Sequence, residues 1–232
     1  MKKVLLIFAL AFAVAMHAQQ SYFTVYNFSV KPEDGATVFK LVDDYYSKNK
    51  PAGVTVSLYE NHLHNSANNY THSLVFNGPL DALGNAYASG PSDSWSLFLT
   101  QLMQHSTGSS SASGMVVSGY GDMNAAHPVQ RLLLLNVPNG DTFAAGFDKF
   151  NSKYTPDGMI VMNGVITTGH MDGVNRWVVL GFRDFKEAFG GPDHLVPDAM
   201  RSARDKAWDE YMASIEGARI VHSGLRVLMK AW

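Results

Sequence analysis

The chain contains no cysteine among its 232 residues. This absence excludes disulfides, thiol catalysis, thiolate metal sites and a lipid-modified cysteine. Charged residues are also scarce, at 16%, and the formal net charge is only −2. The basic residues are scattered rather than clustered, so we expect no nucleic-acid partner. The sequence also lacks a nucleophile elbow, a phosphate loop, a dinucleotide fingerprint and a zinc-protease motif, so no motif predicts a catalytic residue.

Long apolar runs are confined to the N-terminus. Lys2 and Lys3 precede an apolar stretch from Val4 to Met16, and Ala18 supplies the small residue that a signal peptidase needs. This order is typical of a secretory signal peptide, and the stretch is shorter than the ~20 residues of a spanning helix. We therefore expect residues 1–18 to be removed. The mature protein would then be exported, to the periplasm or the extracellular space, with no stable membrane anchor.

One sequence element occurs twice. The pattern Ser-Lys-x-x-Pro-x-Gly is found at 47–53 and again at 152–158, 105 positions apart. Ser118-Gly119 and Ser223-Gly224 recur at the same spacing. Matches at a single spacing over such a length indicate an internal duplication, and we place the two repeats at 22–122 and 130–232.

Apolar residues recur with a period of two in the predicted strands and of 3.6 in the predicted helices. By this pattern both repeats have the same order of strands and helices. The predicted strands are Tyr22–Val30, Val54–His64, Thr71–Asn77 and Met115–Tyr120, then Arg131–Val137, Met159–Thr168, Arg176–Phe182 and Ile220–Met229. The first helix of each repeat has its apolar face at Val38, Val42 and Tyr45 or at Phe143, Phe147 and Phe150. A second helix precedes each final strand, around 95–106 and 198–215. The Ser/Gly-rich stretch Thr107–Ser113 is expected to form a flexible loop.

The order β-α-β-β-α-β is that of a ferredoxin-like unit, with both helices on one side of an antiparallel sheet. The strand Met159–Thr168 is apolar on both faces, so its second face also needs cover. The other repeat supplies that cover. We therefore predict an α+β fold of two tandem ferredoxin-like units, packed sheet to sheet as an intrachain α+β barrel.

In this arrangement the chain resembles the dimeric α+β barrel superfamily, which includes antibiotic-biosynthesis-type monooxygenases, EthD-like proteins and NIPSNAP-like proteins. The resemblance depends on element order and duplication, and it covers nearly all of 22–229. It implies that a substrate can be oxidised without metal or flavin. It carries over no functional residue, because no family motif is present.

The densest group of histidines lies in the predicted hairpin of the first repeat, formed by the strands Val54–His64 and Thr71–Asn77. His62 and His64 share one strand face, and His72 begins the adjacent strand. Three neutral imidazoles are ligands for zinc or copper, one imidazole is a ligand for haem iron, and Glu60 would add a carboxylate. The alternative is that these histidines are exposed polar residues at a hairpin tip and bind nothing, since asparagines surround them and the second repeat lacks them.

Other candidates stand alone in the sequence. His222 lies between apolar residues of the last strand and is typical of a buried histidine with a structural partner. Asp172 and Asp184 are candidate acids, although aspartates are common in turns. Arg176 beside Trp177 would suit stacking on a planar ligand.

Several functions therefore remain open. The first is binding of a small molecule within the barrel. The others are a cofactor-independent monooxygenase-like activity, metal or haem binding through the histidine hairpin, and a structural or interaction role through exposed sheet edges.

Overall fold

The computed structural model describes residues 20–64, 69–169 and 172–232, so the predicted signal peptide lies outside the described part of the chain. The strands are β1 Ser21–Val30, β2 Thr55–His64, β3 His72–Pro79, β4 Ser106–Gly121, β5 Val129–Asn136, β6 Ile160–Thr168, β7 Arg176–Phe182 and β8 Arg219–Ala231. The helices are α1 Gly35–Asn49, α2 Leu80–Ala88, α3 Asp93–His105, α4 Gly140–Tyr154, α5 Phe185–Gly190, α6 Pro192–Leu195 and α7 Asp198–Ser214. Within these ranges no helix is both long and apolar enough to cross a membrane.

The strands form one closed antiparallel barrel in the order β1-β3-β2-β8-β5-β7-β6-β4. The halves β4-β1-β3-β2 and β8-β5-β7-β6 each have the ferredoxin-like strand order, which confirms the predicted fold class. The halves join through the pairs β2·β8 and β4·β6. All eight described strands thus have two neighbours, and the barrel leaves none of the sheet edges that an edge-mediated interaction would use.

The helices cover the outside of the barrel, and each half has its own hydrophobic core there. Val38, Val42 and Tyr46 of α1 are buried against the first half, where Val56 and Leu58 of β2 face them. In the second half the predicted residues Phe143, Phe147 and Phe150 of α4 are buried. The prediction was wrong by one position in α1, because Tyr46 is fully buried while Tyr45 is half-buried and stacks on Phe98.

The duplicated Ser-Lys-x-x-Pro-x-Gly element forms the end of the first helix and the following turn in both repeats. Its glycines, Gly53 and Gly158, have φ values of +72° and +82°. This left-handed conformation is costly for residues that have a Cβ, which explains why both copies keep glycine there.

The prediction of a flexible loop at Thr107–Ser113 was wrong. These residues belong to β4, which is 16 residues long and runs between β1 and β6. Serine and glycine have low intrinsic strand propensity, but here the ladders on both sides supply backbone hydrogen bonds that override it. The misread stretch matters because it lines the barrel interior.

The C-terminus of the second repeat is tied to the first repeat. Trp232 exchanges backbone hydrogen bonds with Val56, at 2.9 and 3.3 Å. The side chains of Lys230 and Trp232 both donate to the Asp43 carboxylate on α1. These bonds, with a third from Ser47, lower the pKa of Asp43 to about 2. The contact therefore strengthens the β2·β8 junction between the repeats.

Candidate functional site: the barrel interior

The barrel interior contains a partly open cavity of about 430 Å³, formed by the inward-facing residues of all eight strands and of the adjoining loops. Inward and outward side chains alternate along each strand, so the outward residues pack under the helices while their neighbours line the cavity. On β2, for example, Ser57 and Tyr59 face inward, whereas Val56 and Leu58 face the helices. The cavity is therefore a consequence of the same alternation that builds the outer cores.

The first repeat contributes a mainly polar wall, although Phe23, Val25 and Val75 also line the cavity there. Four side chains on four strands form a hydrogen-bonded row, which we call the polar belt: Asn61, Ser73, Asn27 and Ser110. Asn61 donates to Ser73 at 3.3 Å, Ser73 donates to Asn27 at 2.9 Å, and the Asn27 amide donates to Ser110 at 3.0 Å. Each of these four side chains thus has a hydrogen-bond partner within the belt, and Asn27, Ser73 and Ser110 line the cavity.

The second repeat contributes a mainly apolar wall. Its lining side chains are Leu132, Leu134, Met162, Ile166, Val174, Trp177 and Val179. Trp177 meets Phe23 of the first repeat edge to face, with 5.6 Å between ring centroids, so this contact crosses the barrel interior. The indole N–H of Trp177 is buried and has no hydrogen-bond partner among the described residues. This wall offers a surface for rings and alkyl groups, with one unpaired donor.

Two polar residues interrupt the apolar wall. Arg226 of β8 and Gln130 of β5 are cross-strand neighbours, and the guanidinium Nε and Nη2 donate to Gln130 Oε1 at 3.0 and 2.9 Å. The guanidinium carbon also lies 4.1 Å from the centroid of the Tyr59 ring, in cation–π contact. Arg226 is thereby held in a fixed position in the cavity wall.

This geometry can be compared with solved structures. An anthrone oxidase-like protein superposes with a TM-score of 0.58 at 10% identity, covering 93% of this chain and 94% of that one. A candidate monooxygenase from Fusobacterium nucleatum gives 0.58 at 15% identity, covering 92% and 94%. One from Lactobacillus acidophilus gives 0.56 at 13%, covering 90% and 93%. The chain has the dimeric α+β barrel fold.

These likenesses are at the level of the fold. A mutant chlorite dismutase from Candidatus Nitrospira defluvii also superposes, with a TM-score of 0.52 at 9% identity, over 89% of this chain and 91% of that one. No protein-family model matches the chain, and no curated protein matches it. The dimeric α+β barrel fold therefore sets the scaffold, and the function must be argued from the cavity itself.

Of the predicted histidine site, His62 and His72 lie on the outside of the barrel, away from the cavity. His62 is exposed, approaches Glu60 at 3.5 Å and meets the Phe185 ring edge to face. His72 is buried, stacks on Phe28 with 5.6 Å between centroids, and shares a 2.8 Å hydrogen bond with the Thr71 hydroxyl. Burial lowers the pKa of His72 and so favours its neutral form.

Metal binding by these residues stays a prediction. Among the described side chains, no group of three or more histidines and carboxylates is arranged to hold a metal ion. The side chain of His64 is not among those that the structure describes, so of the predicted set only His62 and His72 are located. Thermal stabilisation by Zn²⁺ or Cu²⁺ in the wild type but not in His62→Ala/His64→Ala would support the site.

The remaining candidate residues from the sequence, Arg176, Trp177 and Asp184, contact other parts of the protein. Arg176 and Trp177 lie on opposite faces of β7, so the predicted joint stacking site was wrong. Arg176 faces the helices, where it donates to Gly140 O at 2.8 Å and lies over the Phe143 ring, while Trp177 faces the cavity. Asp184 caps α5 by accepting from the Glu187 backbone N–H at 2.9 Å, which is a structural role.

His222 and Asp172, which no sequence pattern connects, form a pair. Their side chains are 2.9 Å apart, and His222 is only 3% exposed. His222 also borders a small recess that adjoins the main cavity and shares Arg226, Leu132 and Leu134 with it. Asp172 has a φ of +50°, a conformation uncommon for a residue with a Cβ. The expected structural partner of His222 is thus confirmed, and it lies beside the cavity.

Sequence reasoning missed the residues that matter most here. Arg226 lies on a predicted strand, and its inward side follows from period two, but no local signal distinguishes it from a surface arginine. The residues Asn27, Ser73 and Ser110 are likewise ordinary polar residues in sequence. Closure of the barrel brings them together, and only the register of β1, β3 and β4 aligns them.

Proposed function

We propose that this protein binds a small molecule inside the barrel. The supporting observation is the cavity of about 430 Å³, which has both polar and apolar walls. Small-molecule sites typically measure about 300–1,000 Å³ and combine apolar walls with a few placed polar groups. The occupant is amphipathic. Its rings or alkyl groups lie against Trp177 and Leu134, and its oxygen or nitrogen atoms face the polar belt.

The first test uses N-phenyl-1-naphthylamine, a neutral dye that fluoresces strongly in apolar surroundings. We expect saturable binding with one site per chain. Ala112→Phe fills the cavity, because Ala112 lines it, and should weaken dye binding at least tenfold. Ala125→Phe adds the same ring at an exposed position and should leave the dissociation constant within twofold. Equal affinity of both variants, or no saturable binding by the folded wild type, would contradict the proposal.

A second candidate function is a cofactor-independent, monooxygenase-like oxidation of the bound molecule. It is favoured by the fold similarity to an anthrone oxidase-like protein over 93% of this chain. Anthrone is therefore the natural first substrate. Its oxidation to anthraquinone consumes one O₂, of which one oxygen atom becomes the new carbonyl and the other leaves as water.

The oxidase assay follows oxygen uptake and anthraquinone formation in air with purified protein. Catalysis in the cavity predicts that Ala112→Phe loses the activity and that Ala125→Phe keeps it. Dye binding without oxidation of anthrone would leave binding as the function and remove anthrone oxidation. No described histidine or carboxylate lines the main cavity, so a substrate would have to lose its proton to water or to a side chain of the adjoining recess.

We also propose that the protein acts after export, in the periplasm or the extracellular space. The support is the predicted signal peptide at residues 1–18. Expression of the full chain in a bacterial host, followed by cell fractionation and N-terminal sequencing, tests it. A mature N-terminus after Ala18 in an exported fraction is expected. Retention of an intact N-terminus in the cytoplasm would contradict export without affecting the binding proposal.

A further inference from the structure

Arg226 is the charged residue among those that line the main cavity. No aspartate, glutamate, lysine, histidine or other arginine is among the described lining residues. The guanidinium is half-buried and fixed by Gln130 on one side and by the Tyr59 ring on another. A cation with this placement makes the cavity electrostatically positive.

Neither of these contacts neutralises the charge. Gln130 supplies one amide oxygen to two N–H groups, and an aromatic face supplies only a quadrupole. Three other arginines of the chain behave differently, since Arg183, Arg201 and Arg204 each pair with a carboxylate. Arg226 forms no ion pair with a described residue, and no described carboxylate lines the cavity.

An unpaired cation inside a low-dielectric cavity is costly, whereas a cation facing an anion in a fixed geometry forms strong, charge-assisted hydrogen bonds. The guanidinium Nη1 makes no hydrogen bond to a described residue and suits the oxygen of a ligand. The leucines of the apolar wall lie on β5, which pairs with the β8 strand of Arg226, and Trp177 lies on β7, the next strand of the barrel.

We propose that the cavity selects aromatic molecules carrying one anionic group, a carboxylate or an ionised phenol, and that Arg226 binds this group. This selectivity rests on the proposed binding function and specifies its ligand class. The ring system lies against the apolar wall, and further hydroxyl or carbonyl groups of the ligand face the polar belt. Arg226 is then a specificity-determining residue, because a neutral analogue of the same shape leaves its charge without a partner.

The experiment measures displacement of the neutral dye N-phenyl-1-naphthylamine by two matched competitors. 1-Naphthoate carries a carboxylate, and 1-naphthamide has nearly the same shape but no charge. We expect wild-type protein to bind naphthoate at least tenfold more tightly than naphthamide. In Arg226→Met this preference should disappear, with each competitor's inhibition constant calculated from the dye dissociation constant measured for that variant. Arg226→Lys should keep part of the preference, since it keeps the charge but loses the fork-shaped geometry.

A further measurement tests whether the site accepts phenolates as well as carboxylates. Displacement by 4-nitrophenol is measured in its neutral and ionised forms, so that preference for the ionised form assigns phenolates as well as carboxylates to the site. Preference for naphthoate alone restricts the class to carboxylates. If the dye binds but naphthoate and naphthamide compete equally, the anion selectivity is wrong and the binding function stands. If the dye itself does not bind, the binding function fails first. Circular dichroism of Arg226→Met and Arg226→Lys shows that each variant is folded.

Discussion

The two repeats share a backbone and line one cavity, yet their inward side chains differ in chemistry. Strand register gives the correspondence, because each hairpin pairs its residues in the same way in both halves. At one level of the barrel the first repeat places Tyr59, Ser73, Asn27 and Ser110 side by side. At the same level the second repeat places Gly164, Trp177, Leu134 and His222.

The two halves therefore share a scaffold while the side chains of their cavity walls differ. Gly53 and Gly158, for example, keep the same residue type in equivalent turns. In the cavity wall, the large residue of the equivalent cross-strand pair lies on different strands in the two repeats. In the first repeat Tyr59 of β2 is paired with Ser73 of β3, whereas in the second Gly164 of β6 is paired with Trp177 of β7. The cavity therefore has one mainly polar side and one mainly apolar side, which two identical repeats would not provide.

The largest expected effect comes from removing the bulky residue of the apolar wall. Trp177 is 7% exposed, and Trp177→Ala should lower the free energy of unfolding by about 3–5 kcal/mol through lost burial and an enlarged cavity. Its counterpart change, Ser73→Ala, removes one hydroxyl of the polar belt and should cost about 1 kcal/mol. Urea denaturation of both variants measures the contrast. Similar losses would show that the two walls do not differ in packing as the structure indicates.

The second effect concerns the glycine that makes room for Trp177. A Cβ at Gly164 would lie 2.2 Å from the Met115 carbonyl oxygen and 2.4 Å from the Trp177 ring. Gly164→Ala should therefore destabilise the protein by about 2–3 kcal/mol, as overpacked cores do. Gly84→Ala is the control, because a Cβ there meets nothing within 4 Å in helix α2. It should be neutral or stabilising, since alanine favours helices. A neutral Gly164→Ala variant would contradict the tight packing of this wall.

The third effect transfers an apolar residue into the polar wall. Asn27→Leu installs the residue type found at the corresponding position, Leu134, and leaves the hydroxyls of Ser73 and Ser110 without their amide partner. We expect a loss of about 1–2 kcal/mol in the free energy of unfolding. The dye N-phenyl-1-naphthylamine should still bind, because the apolar wall is intact. If the variant were as stable as the wild type, the belt would have no structural role.

Sequence pattern predicts the scaffold better than the site, for a physical reason. Strand and helix periods are local, so β7 and α7 could be located from single segments, and the repeat spacing revealed the two units. The stretch Thr107–Ser113 was misassigned because its strand state depends on neighbours far away in sequence. The site depends on the same long-range register, which aligns Asn27 with Ser110 and brings Arg226 to Gln130. No local composition encodes these pairs.

The smallest expected effect is a pH dependence confined to the first repeat. By register, His72 corresponds to Arg176, and both face outward and are buried. Arginine stays charged at any pH of interest, whereas burial lowers the pKa of His72. The nearby Glu60 opposes this shift and His62 adds to it. Only the first repeat thus contains a titrating residue at this position.

The sign follows from proton linkage. Below the usual histidine pKa of about 6.5, the unfolded chain binds a proton that folded His72 resists, so acidification favours unfolding. The free energy of unfolding should therefore fall between pH 7.5 and 5.5 in the wild type and fall less in His72→Asn, which keeps a polar group near Thr71. His62→Gln removes the neighbouring imidazole that adds to the lowering of the His72 pKa, so its profile should lie between those of the wild type and His72→Asn. Parallel profiles for wild type and His72→Asn would show that the outward residues of both repeats respond alike to pH, and that the difference between the repeats is confined to the cavity wall.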